Sequence, residues 1–213
     1  MIVGTMRTAV VVPLAEPATL FGVRFHPGAA LRVFDTPLTE LTDRRIPLES
    51  VWGTAAHELS VALRETTGPA GPVRAERILA TRLAGAEAGR QWDEALTEQA
   101  VTLFRRARGS IGVRQAAAAL GVGERRLQRA FDRSVGLSPK ALARVLRFRR
   151  AVRHLDGTAT PPTSWAALAA RAGYADQSHF IRDFRGLAGL TPAAYVRERR
   201  AVGFVQYRES GTR

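Results

Sequence analysis

The feature that most limits how this 213-residue chain can fold is an internal duplication in its second half. Val113, Ala116, Ala117 and Leu120 fall at i, i+3, i+4 and i+7, and Trp165, Leu168, Ala169 and Ala172 repeat that spacing 52 residues later. A glycine and an apolar residue close each run, Gly121-Val122 and Gly173-Tyr174. Beyond the turn the offset becomes 53: Leu127 matches Phe180, Arg129 matches Arg182, Phe131 matches Phe184, and Gly136-Leu137-Ser138-Pro139 matches Gly189-Leu190-Thr191-Pro192. The second turn is thus one residue longer. Apolar residues at this spacing make one face of a short helix. Glycine then reverses the chain at little steric cost. A second helix buries two apolar positions four apart, Leu127 and Phe131 or Phe180 and Phe184, and turns its other side outward. That pattern describes a helix-turn-helix, whose second helix can enter a DNA major groove.

The outward positions carry the chemistry. In the first copy they are Arg125, Arg126, Gln128, Arg129 and Arg133; in the second they are Gln177, Ser178, His179, Ile181, Arg182 and Arg185. Arginine pairs with guanine O6 and N7, and glutamine with adenine N6 and N7. Arginine and serine also suit phosphate oxygens. Arg129 and Arg182 occupy equivalent places two residues before the buried phenylalanine. Such repetition fits base reading, and it equally fits a structural ion pair or helix cap used twice.

Charge distribution points the same way. Residues 1–107 hold 12 arginines and 12 acids, whereas residues 108–213 hold 19 arginines and Lys140 against 7 acids. The whole net charge of +13 therefore lies in the second half. A general preference for arginine would affect both halves, so the asymmetry favours a polyanion partner for the second. Between the two copies the spacing predicts a long helix from Pro139 to about Leu155. Leu142, Val145, Leu146, Arg149, Val152 and Leu155 trace its inner stripe, with Arg144, Arg147, Arg150 and Arg153 largely elsewhere. Ser164 suits the N-cap of the following helix, and a last helix from Pro192 turns Tyr195 inward.

The first half reads as mixed. Val10–Val12 and the alternating Thr19–Phe25 suggest strands, stopped by His26-Pro27-Gly28. Thr36 and Pro37 suggest an N-cap and a first helical residue, with a short helix through Leu41. Further helices are expected over Thr54–Glu65 and around Ile78, Leu79 and Leu83, separated by a turn at Gly68–Pro72. From Trp92 onward a helix presents Trp92, Leu96, Gln99 or Ala100, Leu103 and Ala107 on one face. The boundary between the halves is expected near residues 88–92. No catalytic constellation appears: His26 and His57 lack metal-ligand spacing, and no phosphate loop or nucleophile elbow is present. Cysteine is absent, which excludes disulfides, thiolate metal sites and a cysteine nucleophile. With no long apolar run and no signal peptide, the expected location is cytoplasmic and away from membranes.

Gly173-Tyr174-Ala175-Asp176-Gln177-Ser178-His179-Phe180-Ile181-Arg182-Asp183-Phe184, closed by Gly189-Leu190-Thr191-Pro192 and Tyr195, resembles the signature of AraC-type transcriptional regulators. Leu127–Phe131 and Gly136–Pro139 are similar to that family's first helix-turn-helix. The resemblance spans roughly residues 92–200. It implies two helix-turn-helix subdomains, about 113–134 and 164–187, joined by a helix within a DNA-binding domain of 91–201, with a tail over 202–213. It implies DNA contacts from Arg125, Gln128, Arg129, Gln177, Ser178 and Arg182. Residues 21–28 and 41–45 resemble the later part of an N-terminal domain found in some members, so residues 1–90 are expected to form a small, incomplete α+β regulatory domain. The expected fold is mainly α. The expected partner is double-stranded DNA. A small-molecule effector, the transcription machinery and a second copy of the chain stand as further candidates, and no cofactor is expected. Two competing functions are weighed. Alkyl-transfer DNA repair needs a cysteine acceptor, which this chain lacks. A non-specific nucleic-acid-binding or interaction module would show basic runs without the repeated glycine turn.

Overall fold

In a computed structural model, the structure describes residues 1–9, 23–34, 36–64, 70–85, 91–158, 160 and 162–201. The helices in chain order are α1 (Leu31–Phe34), α2 (Glu49–Trp52), α3 (Thr54–Arg64), α4 (Ala70–Gly85), α5 (Gln91–Arg106), α6 (Val113–Ala119), α7 (Glu124–Ser134), α8 (Pro139–Asp156), α9 (Trp165–Ala172), α10 (Gln177–Ala188) and α11 (Pro192–Ala201). Strands β1 (Ile2–Val3) and β2 (Arg45–Ile46) pair antiparallel, with Ile2 opposite Ile46. By packing, the chain divides into residues 1–146 and residues 147–213.

Among the described residues, the first unit holds three apolar clusters. Leu127 and Phe131 of α7 meet Ala100, Val101 and Phe104 of α5, with Ala116 and Ala117 of α6 and Leu142 of α8. Phe104 meets Phe131 edge to face, centroids 5.9 Å apart, a favoured aromatic geometry. A second cluster joins Val33, Trp52, Ala56, Leu59 and Ala75. The third joins Ile2, Leu38 and Leu41. Two long-range hydrogen bonds tie the N-terminal residues to the end of α7. The Thr5 hydroxyl donates to the Val135 carbonyl at 3.0 Å, and that of Thr42 lies 2.7 Å from the Gly136 carbonyl. Gly136 has φ +74°, and a Cβ there would stand 2.7 Å from the Leu38 carbonyl oxygen.

The second unit surrounds Phe180 and Phe184, both fully buried. Ala151 and Leu155 of α8, Leu168, Ala169 and Ala172 of α9, Tyr174, and Val196 of α11 complete its core. Phe184 makes edge-to-face contacts with Phe148, Phe180 and Tyr195. The Tyr195 hydroxyl donates to Asp156 at 3.0 Å, as its inward placement requires.

Local signals explain where the helices start. The Ser138 hydroxyl accepts from Ala141 N–H at 3.1 Å and that of Thr191 from Ala194 N–H at 3.2 Å, each just before a proline at the first helical position. Ser164 caps α9 as expected, accepting from Ala167 N–H. Gly121 and Gly173 take φ of +66° and +91°, the left-handed conformation that ends α6 and α9.

Several expectations change. Leu38–Leu41 is a 3-10 turn in which Pro37, not Thr36, holds the capping position; the Thr36 hydroxyl instead donates backward to the Phe34 carbonyl. Gly71 and Pro72 sit in the first turn of α4, where a missing N–H leaves no helical bond unmade. Phe104 rather than Leu103 is fully buried on α5, because its larger ring fills the space facing Phe131. Arg149 is exposed, and Phe148 packs against the second core in its place. The expected strand at Val10–Val12, most of that at Thr19–Phe25, the Gly68-Pro69 turn, the boundary at 88–90 and the tail at 202–213 lie outside the described residues; Val23–Phe25 is not in a strand.

Candidate nucleic-acid interface

On α7 the inner face is Leu127, Ala130, Phe131 and Ser134, all buried. Arg125, Arg126, Arg129 and Arg133 are exposed on the other side. Glu124 sits in the first turn and Arg133 in the last, each matched in sign to the helix dipole. Gln128 is half-buried, and its amide nitrogen donates to Asp132 Oδ1 at 2.7 Å.

The same division holds on α10. Phe180, Phe184 and Leu187 are buried, while Gln177, Ser178, Arg182 and Arg185 are exposed. Ile181 departs from its expected outward place: it is half-buried against the core, as an apolar side chain beside Phe180 should be. Among the described residues, no hydrogen bond or ion pair engages the side chain of Arg125, Arg126, Arg129, Arg133, Arg182 or Arg185. Neither Arg129 nor Arg182 is therefore an internal ion pair or cap in this structure. Their guanidiniums keep all five N–H donors for an outside acceptor.

His179 is half-buried. Its Nε2 lies 3.5 Å from Asp183 Oδ2, and its ring meets Tyr174 edge to face at 5.2 Å. Asp183 also pairs with Arg147 of α8 at 3.7 Å, with side chains only 13% and 16% exposed. Arg147 lies 5.3 Å from the Tyr174 ring centroid, a cation–π arrangement. Arg147, expected largely off the inner stripe of α8, thus belongs to the support beneath α10. Removing one partner of so enclosed a pair leaves a buried charge, a penalty larger than a surface pair's worth.

Asp176 is a capping residue that the sequence reading did not single out. It caps α10, its carboxylate accepting from His179 N–H at 2.7 Å, and so fixes where Gln177 and Ser178 emerge. Aspartate after a left-handed glycine and before a helical run was the available signal.

In the first unit, an apolar cavity of about 450 Å³ separates the N-terminal residues from the turn after α7; Ile2, Phe34, Leu38, Val135, Leu137 and Val145 help line it. Among the described residues, no cluster of three or more His, Asp or Glu could hold a metal ion. No helix among them is long and apolar enough to cross a membrane.

Residues 116–198 match the family model described as a helix-turn-helix domain. Residues 1–47 match a domain of unknown function, DUF6597. Comparison with curated proteins finds no match, and comparison with solved structures finds none.

Proposed function

We propose that residues 116–198, which match the helix-turn-helix family model, form the AraC-type DNA-binding domain of a transcription regulator, and that this chain reads specific promoter DNA with two helices, α7 and α10. The observation that carries the reading is the paired sidedness of those helices: buried Leu127, Phe131, Phe180 and Phe184 on one side and exposed arginines on the other, with Gln177 exposed and Gln128 half-buried among them. In this reading the DNA-binding domain spans 91–201, with helix-turn-helix motifs at about 113–134 and 164–187. Helix α8 joins them, since its residues contribute to both cores. Successive major-groove segments on one face of a duplex recur about every 34 Å, and each helix takes one.

Arg125, Gln128, Arg129, Gln177, Ser178 and Arg182 serve as base and backbone contacts. Arg126, Arg133, His179 and Arg185 serve mainly phosphates. The apolar cavity beside α7 is of a size that suits a small apolar effector. The competing reading, a binder of any nucleic acid, has the net charge of +13 in its favour.

Base-pair substitution separates the two. Gln177→Ala is expected to relax preference at one base pair, costing about 1–3 kcal/mol there. Arg133→Ala is expected to weaken all sequences alike. A Gln177→Ala variant with the same loss on every duplex favours the competing reading.

A further inference from the structure

Gln128 and Asp132 stand one helical turn apart on α7, with the Gln128 amide nitrogen donating to Asp132 Oδ1 at 2.7 Å. A carboxylate only accepts, so the amide must turn its NH₂ toward Asp132. Its oxygen and second N–H remain, an acceptor beside a donor, which is the pair that adenine N6 and N7 require. Asp132 gains nothing for DNA attraction: on a helix with four exposed arginines it is a charge of the wrong sign for phosphate.

We infer that Asp132 is a positioning residue that sets sequence preference through Gln128 without touching a base. The inference rests on α7 reading DNA, as proposed above. Asp132 holds the amide in one orientation before binding, so little side-chain freedom is lost when the base pair is met.

Two variants separate positioning from charge. Asp132→Asn removes the charge and keeps an oxygen to accept from Gln128. Asp132→Ala removes both. Binding is measured on a duplex selected from a random pool, on its single-base variants and on random duplex. Gln128→Ala identifies the base pair concerned. Both Asp132 variants are expected to bind random duplex more tightly than the parent, by a similar factor. Only Asp132→Ala is expected to lose discrimination at that base pair, by about 5- to 150-fold, the factor set by one bidentate contact. Adding Gln128→Ala to it should cause no further loss there. Random-duplex binding also reports folding; if Asp132→Ala unfolds, Asp132→Leu replaces it at similar volume. Discrimination kept in Asp132→Ala, or lost equally in Asp132→Asn, overturns the inference. A parent protein that prefers no duplex, with Gln128→Ala silent, overturns the DNA-reading proposal itself.

Discussion

Arg182 tests whether a repeated arginine serves the fold or the surface. It is exposed, two residues before the buried Phe184, and no described residue pairs with it. Arg182→Ala is therefore expected to leave thermal stability within about 0.5 kcal/mol of the parent, as for surface changes away from special features. DNA affinity should fall. Unfolding of the variant would return Arg182 to a structural role. Asp43 gives a second prediction. The Arg7 backbone N–H and guanidinium both donate to its carboxylate, which holds the carboxyl below the usual carboxylate range. A group with a lowered folded pKa stabilises above its unfolded value, about 3.9 for aspartate, and loses that contribution as pH falls through the folded value. Thermal unfolding against pH should show the parent and Asp43→Asn separated by a constant gap at neutral pH. The gap should close as the medium becomes strongly acidic. Asn tolerates the left-handed φ of +56° at this position, so backbone strain should not confuse the comparison.

Helix α10 is held by its aromatic face. Phe184→Ala deletes a fully buried ring that meets three others, and is expected to cost about 3–5 kcal/mol in denaturant unfolding of the DNA-free protein. Gly136→Ala should also destabilise, since the added Cβ meets the Leu38 carbonyl and the Thr42 hydroxyl at a positive φ. The helices α6, α7, α9 and α10 were legible from the residues because a 3.6-residue period, a glycine stop and two apolar anchors agree in each. Phase was harder. Leu103 and Phe104 both lie on the Ala100 side of α5, and only the fit of a ring against Phe131 decides between them. The enclosed place of Arg147 is not legible for a related reason: its partner Asp183 lies on another helix, and charge alone cannot announce a buried pair. The outward arginines were easier, because no internal acceptor competes for them.

At the scale of the molecule, charge asymmetry between the halves was open to simple counting, whereas the division of packing at residue 146 was not. Within the first unit, bonds such as Thr5 to Val135 and Thr42 to Gly136 join residues 130 and 94 positions apart. No local pattern marks such pairs. The helix-turn-helix match over 116–198 agrees with the residues read from the duplication. If α7 and α10 grip phosphates as well as bases, log affinity should fall linearly with log salt, by about 0.9 for each phosphate neutralised. Arg133→Ala should reduce that slope by about one. The most direct measurement is the affinity of the full chain for a duplex selected from a random pool against a scrambled duplex of the same composition, at physiological salt. Two reading helices predict a preference on the order of 10³-fold or more. Equal affinity for both duplexes would contradict the account.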